Sequence, residues 1–214
     1  MRTSRSFDQV AKKLSSDNHV LAMDLLGHGD SSWTESGYRF ADRSDDIGNF
    51  VTKTDLNEIT AVAHSTGAVA LSMNVANDPA RFKKLVLMEP MMIVDEKFQR
   101  MVSDRGNRAR TTWSDHAELK DLLGKHEVTS KWHPKVIDDV VEHETFVDKE
   151  GRIDMKWSSY TLSWSEREDD YLDLIPILES ISIPILFIVG GLSLIHISEP
   201  TRRTPISYAV FCLK

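Results

Sequence analysis

At 214 residues, 41% hydrophobic and 28% charged, the chain has the composition of a globular protein with one sizeable core, neither disordered nor membrane-embedded. Its net charge of -7 argues against a surface built to hold phosphate backbones, so no nucleic-acid partner is expected. The longest apolar run, Ile183 to Gly191, is too short to span a bilayer, and Met1-Arg2-Thr3-Ser4-Arg5 leads into no apolar signal core. No membrane partner is expected, and the expected compartment is the cytoplasm.

In chain order, Phe7, Val10, Ala11 and Leu14 follow helical spacing, and His19-Val20-Leu21-Ala22-Met23-Asp24 reads as a short buried strand. Gly27-His28-Gly29-Asp30-Ser31 is a turn. Ala41 to Lys53 reads as a helix with Ile47, Phe50 and Val51 inward; Ile59 to His64 is a second buried strand; Gly67 to Asn77 is a helix of small and apolar residues. Leu85 to Glu89 is a third strand, ended by Pro90. The alternation βαβαβ predicts an α/β fold with a mostly parallel sheet, right-handed crossovers and helices on both faces. Ligands in such a sheet bind beyond the carboxyl ends of the strands.

From Asp95 to about Asp170 the texture becomes charged, helical and Trp-rich, with Trp113, Trp132, Trp157 and Trp164 and no strand of the earlier kind. This predicts a helical lid inserted into the core, whose tryptophans either pack the lid or line an apolar pocket. Leu172 to Ser180 reads as a helix, and Ile183 to Val189 returns to the sheet. The expected organisation is therefore 1–94 core, 95–170 lid and 171–191 core again.

Beyond Gly191 the character changes. Leu192-Ser193-Leu194-Ile195-His196-Ile197-Ser198-Glu199-Pro200-Thr201-Arg202 resembles an in-frame translation of a transposase-type sequencing adapter, and Ile206 to Leu213 resembles the far end of the same adapter. Residues 192–214 are accordingly set apart from fold reasoning as a non-native tail. The single cysteine, Cys212, lies in that tail, as does His196. Neither is a catalytic candidate, and a lone cysteine can close no intramolecular disulfide.

Ala63-His64-Ser65-Thr66-Gly67 sits where a strand passes into a helix. A sharp turn there would lift Ser65 to its tip as a nucleophile, with small residues two before and two after it to let strand and helix approach. The alternative is a serine that caps the helix N-terminus. In chain order, Asp24 to Ser31, Ala63 to Gly67 and Ile183 to Gly191 together resemble the α/β hydrolase fold superfamily, over about residues 3 to 191. Ala63 stands where the family more often has glycine.

The resemblance implies that Thr66 supplies a backbone N–H to an oxyanion hole, and that a second donor comes from a loop of which Met1 or Arg2 is the remnant. It also implies an acid soon after the strand ending at Gly191 and a histidine after one further strand. Both would fall beyond the natural sequence present, so a chain cut short at both ends and inactive by itself is expected. Glu89, at the end of the third strand, is an alternative acid or a capping residue. His64 is expected to be structural or a pocket wall rather than the base, His19 a surface residue and His28 a packing residue of its loop. His116, His126, His133 and His143 are expected to be solvated lid residues, and no metal is predicted.

The absence of a phosphate loop or dinucleotide fingerprint predicts no cofactor. The implied activity of the parent protein is hydrolysis of an ester, or of a related acyl or carbon–carbon bond, in a small and fairly apolar substrate through an acyl-enzyme at Ser65. A non-catalytic relative that binds a small molecule or a partner is the competing class.

Overall fold

The computed structural model describes residues 2–162 and 171–190. In chain order its helices are α1 (Asp8–Leu14), α2 (Phe40–Lys53), α3 (Thr66–Asn77), α4 (Glu96–Gly106), α5 (His116–Lys125), α6 (Pro134–His143) and α7 (Leu174–Ser180). Its strands are β1 (Ile59–His64), β2 (Phe82–Met88), β3 (Ile93–Val94), β4 (Thr145–Val147), β5 (Ile153–Met155), β6 (Leu172–Asp173) and β7 (Ile185–Ile188). None of the described helices is long and apolar enough to cross a membrane. The chain divides into two compact units, whose described parts are 39–100 with 171–190 (the sheet unit) and 2–38 with 101–162 (the helical unit).

The sheet unit holds an all-parallel sheet in the order β1-β2-β7. Its register places Val62, Val86 and Leu186 in one row and Ala63, Leu87 and Phe187 in the next. Such strands need crossover connections, and α3 is the crossover between β1 and β2. Ala68, Val69, Ala70, Ser72 and Val75 of α3 are fully buried, as expected of a helix that is apolar nearly all round. Each fully buried valine or leucine of this core contributes about 1.5–3 kcal/mol. Ser72 satisfies its hydroxyl within the helix by donating to the Ala68 carbonyl at 2.8 Å.

α2 lies against α3, and Gly48 permits the close crossing. A Cβ there would come within 2.6 Å of the Asn74 amide nitrogen, which donates to the Ser44 carbonyl. Asp42 starts α2 by accepting the Arg39 amide N–H at 3.0 Å. Burial raises the Asp42 pKa, but its bonds to Arg39 outweigh this and hold it below the ordinary value. On one side the sheet is buried at Leu85 and Leu87, whereas Val62 and Ile188, on the other, are 40% and 47% exposed.

The helical unit is built around Leu119, Ile137, Val141 and Ile153, with Trp113, Trp132, Leu123 and Met155 packed against them. Of the four tryptophans expected in a lid, Trp113 and Trp132 thus serve packing. Trp157 instead lies under the Arg110 guanidinium, 4.5 Å from it, and Trp164 lies outside the described residues. The region from Asp95 to about Asp170 was expected to be helical, with no strand of the core kind. The unit does contain an antiparallel hairpin, β4–β5, with Gly151 (φ 77°) at its turn and Asp148 accepting two amides there.

One expected element is absent. Residues 19–24 form no strand, although their composition favours one. A strand exists only where a neighbour takes up its backbone donors and acceptors, and no described segment forms a ladder with this one. Asp24 instead organises the following turn. Its carboxylate accepts the amides of Ser4 and Asp30 at 2.6 and 3.0 Å, and its carbonyl accepts the Ser31 hydroxyl at 2.7 Å.

Candidate active site

β1 enters the site as an uncharged run whose side chains alternate between the two faces of the sheet. The strand stops at His64, and the next residue, Ser65, adopts φ 53°, ψ -120°, a conformation that costs a non-glycine residue about 1–3 kcal/mol. α3 begins at once at Thr66, with Ala68 and Val69 donating to the Ser65 carbonyl. Ser65 therefore occupies the cap position of α3, yet its hydroxyl makes no capping bond. The geometry is that of a sharp strand-to-helix turn held by burial of the elements on either side, and the capping role weighed from the sequence does not describe this serine.

Thr66 is the first residue of α3, so its N–H has no acceptor within the helix. Apart from its chain neighbours and its own helix's backbone, a Cβ at Gly67 would meet no described atom within 4 Å, so among the described residues no packing contact demands a small residue there.

Glu89 follows β2 as Ser65 follows β1. It too has positive φ, 46°, and its amide donates to the Ile188 carbonyl at 2.9 Å, continuing the ladder to β7. Its carboxylate accepts a short hydrogen bond from the Gly190 amide. Glu89 is thereby tied to the exit of β7. Sequence inspection singled it out by position but had no signal for this bond, which joins residues about a hundred positions apart.

The histidines fall in several places. His64 ends β1 on the exposed face and is the single histidine among the described residues of the sheet unit. His19 is exposed and His28 is 6% exposed, its Nδ1 3.0 Å from the Leu26 carbonyl, which makes Nδ1 the donor. His133 caps α6 by accepting the Lys135 amide, and His126 accepts the Val128 amide. His116 Nε2 lies 3.0 Å from the Thr145 hydroxyl, which itself donates to Val141, so Nε2 carries the proton in this contact. His143 is 4.0 Å from Glu142. Among the described residues, no group of three or more His, Cys, Asp or Glu could hold a metal ion.

The turn at Gly27 to Ser31 belongs to the helical unit and is locked there by backbone exchange: Gly29 donates to the Lys156 carbonyl and Ser158 donates to that of Gly27. Both glycines have positive φ, 75° and 54°. A Cβ on Gly27 would lie 2.5 Å from the Tyr38 ring, and one on Gly29 would lie 2.0 Å from the Asp24 carboxylate. The Gly-His-Gly pattern is therefore a demand of backbone path and space.

A family model described as the α/β hydrolase fold matches residues 2–129. A non-heme chloroperoxidase of Kitasatospora aureofaciens is 33% identical over 94 residues, covering 42% of this chain and 34% of that protein. A probable serine hydrolase of Drosophila melanogaster is 31% identical over 119 residues, covering 54% of this chain and 36% of that protein. The matches thus span about a third of the length of these relatives. Among solved structures, E-2-(acetamidomethylene)succinate hydrolase superposes with a TM-score of 0.77 at 22% identity, covering 89% of this chain and 69% of the other.

Proposed function

Because the chain belongs to the α/β hydrolase fold family, we propose that the protein it represents is a serine hydrolase with Ser65 as nucleophile. The observation that carries this reading is the backbone of Ser65: a strained conformation between β1 and α3 with the hydroxyl left out of the helix cap. Strain of this kind persists only where the surrounding structure over-determines it, and it concentrates at sites of function.

In this reading the Ser65 Oγ attacks the carbonyl carbon of a small, fairly apolar ester or related substrate, passing its proton to a histidine base. The Thr66 N–H stabilises the charge that develops on the carbonyl oxygen. The leaving group departs with that proton, and water then cleaves the acyl-enzyme. In this reading the protein works in the cytoplasm. Serine rather than aspartate at the turn separates this chemistry from carbon–halogen and epoxide cleavage.

Amplifying the source gene across the Gly191 codon and expressing the resulting protein tests the reading. A reading frame that continues into an acid and a later histidine, with a fluorophosphonate adduct mapped to Ser65 and lost in Ser65→Ala, is the expected result. A complete protein that lacks both groups and fails to label would overturn it in favour of a non-catalytic binding protein.

A further inference from the structure

Ser65 and Glu89 directly follow His64 and Met88, which are partners in the β1–β2 register, so the two residues stand side by side at the carboxyl edge of the sheet. Both hold positive φ, 53° and 46°. Glycine would take the Glu89 backbone without strain, but it carries no acceptor to offer the Gly190 amide.

The two ends of the bond between Glu89 and Gly190 differ in how firmly they are held. The Glu89 amide donates to the Ile188 carbonyl at 2.9 Å, and the chain that follows is buried at Pro90 and Met91. The Met92 carbonyl then accepts the Leu174 amide at 2.8 Å, and β3 pairs with β6. At the other end Val189 is 42% exposed and Gly190 is exposed. The bond therefore holds the exit of β7 to Glu89 rather than the reverse, and a carboxylate acceptor makes it one of the stronger hydrogen bonds.

We infer that Glu89, on the reading that Ser65 is the nucleophile, is a positioning residue for the reaction there and acts through Gly190 by fixing the chain that leaves β7. Ligands of a parallel sheet lie beyond the carboxyl ends of its strands. In the order β1-β2-β7 the exit of β7 is two strands from Ser65, roughly 10 Å at ordinary strand spacing. It forms one side of the space in which a small acyl group would lie. A misplacement of about 1 Å around the reacting atoms can cost on the order of a hundredfold in rate. This role demands reach and not charge. Glutamine keeps the length and an oxygen acceptor, whereas aspartate keeps the charge on a side chain one methylene shorter.

The rate at which a fluorophosphonate labels Ser65 in the complete protein, measured where circular dichroism shows each variant folded, tests this role. Glu89→Asp and Glu89→Ala should label roughly ten- to a hundredfold more slowly than the parent, and Glu89→Gln should recover most of that loss. If Glu89→Asp labels as fast as Glu89→Gln, or Glu89→Ala as fast as the parent, the positioning role is overturned while Ser65 stands as nucleophile. A parent that forms no adduct at Ser65 overturns that reading and the positioning role together. Should Glu89→Ala fail to fold, the order of Glu89→Gln and Glu89→Asp decides.

Discussion

The Ser65 amide donates to the Met88 carbonyl at 3.0 Å, extending the β1–β2 ladder one residue past the end of β1. The strand therefore stays paired up to the residue whose backbone breaks from it, and the turn is anchored at its entry by a ladder bond and at its exit by the first turn of α3. That arrangement makes the strain at Ser65 measurable.

Ser65→Gly should be more stable than Ser65→Ala by about 1 kcal/mol, because glycine takes positive φ without steric cost. Urea denaturation of the two variants checks this. An alanine variant at least as stable as the glycine one would mean that the turn does not hold this conformation.

Glu89→Gln retains an oxygen to accept the Gly190 amide, so it should cost less stability than Glu89→Ala, which leaves that amide unpaired. In the complete protein its turnover should stay within about tenfold of the parent, because the carboxylate is engaged with β7. A loss approaching the roughly 10⁴-fold caused by removing a triad acid would instead make Glu89 the acid.

Gly29→Ala and Gly67→Ala should move in opposite directions. The first forces a side chain to positive φ and into the Asp24 carboxylate, and should destabilise by more than about 2 kcal/mol. The second adds a methyl group to open space on a helix and should be neutral or stabilising by up to about 1 kcal/mol. Thermal melts of both variants test the contrast, and a strongly destabilised Gly67→Ala would restore the crowded turn expected from the sequence.

Gln99, in the first turn of α4, is 1% exposed, and among the described residues neither its amide nitrogen nor its amide oxygen has a hydrogen-bond partner. Gln99→Met, similar in length and without the polar atoms, should therefore stabilise the protein by about 1 kcal/mol or more. A loss of stability in chemical denaturation would show that the amide is satisfied, for example by a buried water.

Much of the sheet unit was legible from residue order. β1 coincides with the apolar run Ile59 to His64, α2 and α3 begin within one residue of the expected positions, and Ser65 was recognisable as the residue between strand and helix. β7 starts two residues later than expected, after Pro184, which lacks the amide proton a ladder needs. The turn at Gly27 and Gly29 was visible as a turn, but the reason for each glycine lies in Tyr38 and Asp24 beside it.

What the sequence determined by itself is therefore what depends on neighbours along the chain: hydrophobic period, helix starts, breaks at glycine and proline, and the placement of a serine at a strand-to-helix junction. Tertiary structure decided the rest. The run 19–24 has the composition of a strand but no ladder partner among the described residues. Glu144 resembles any surface glutamate until Arg2, Thr3 and Ser6 close over it, and Glu89 resembles a free carboxylate until Gly190 meets it. Pairing of backbone groups and the cost of burying charge are set by segments far away in sequence, and no local pattern records which segments those will be.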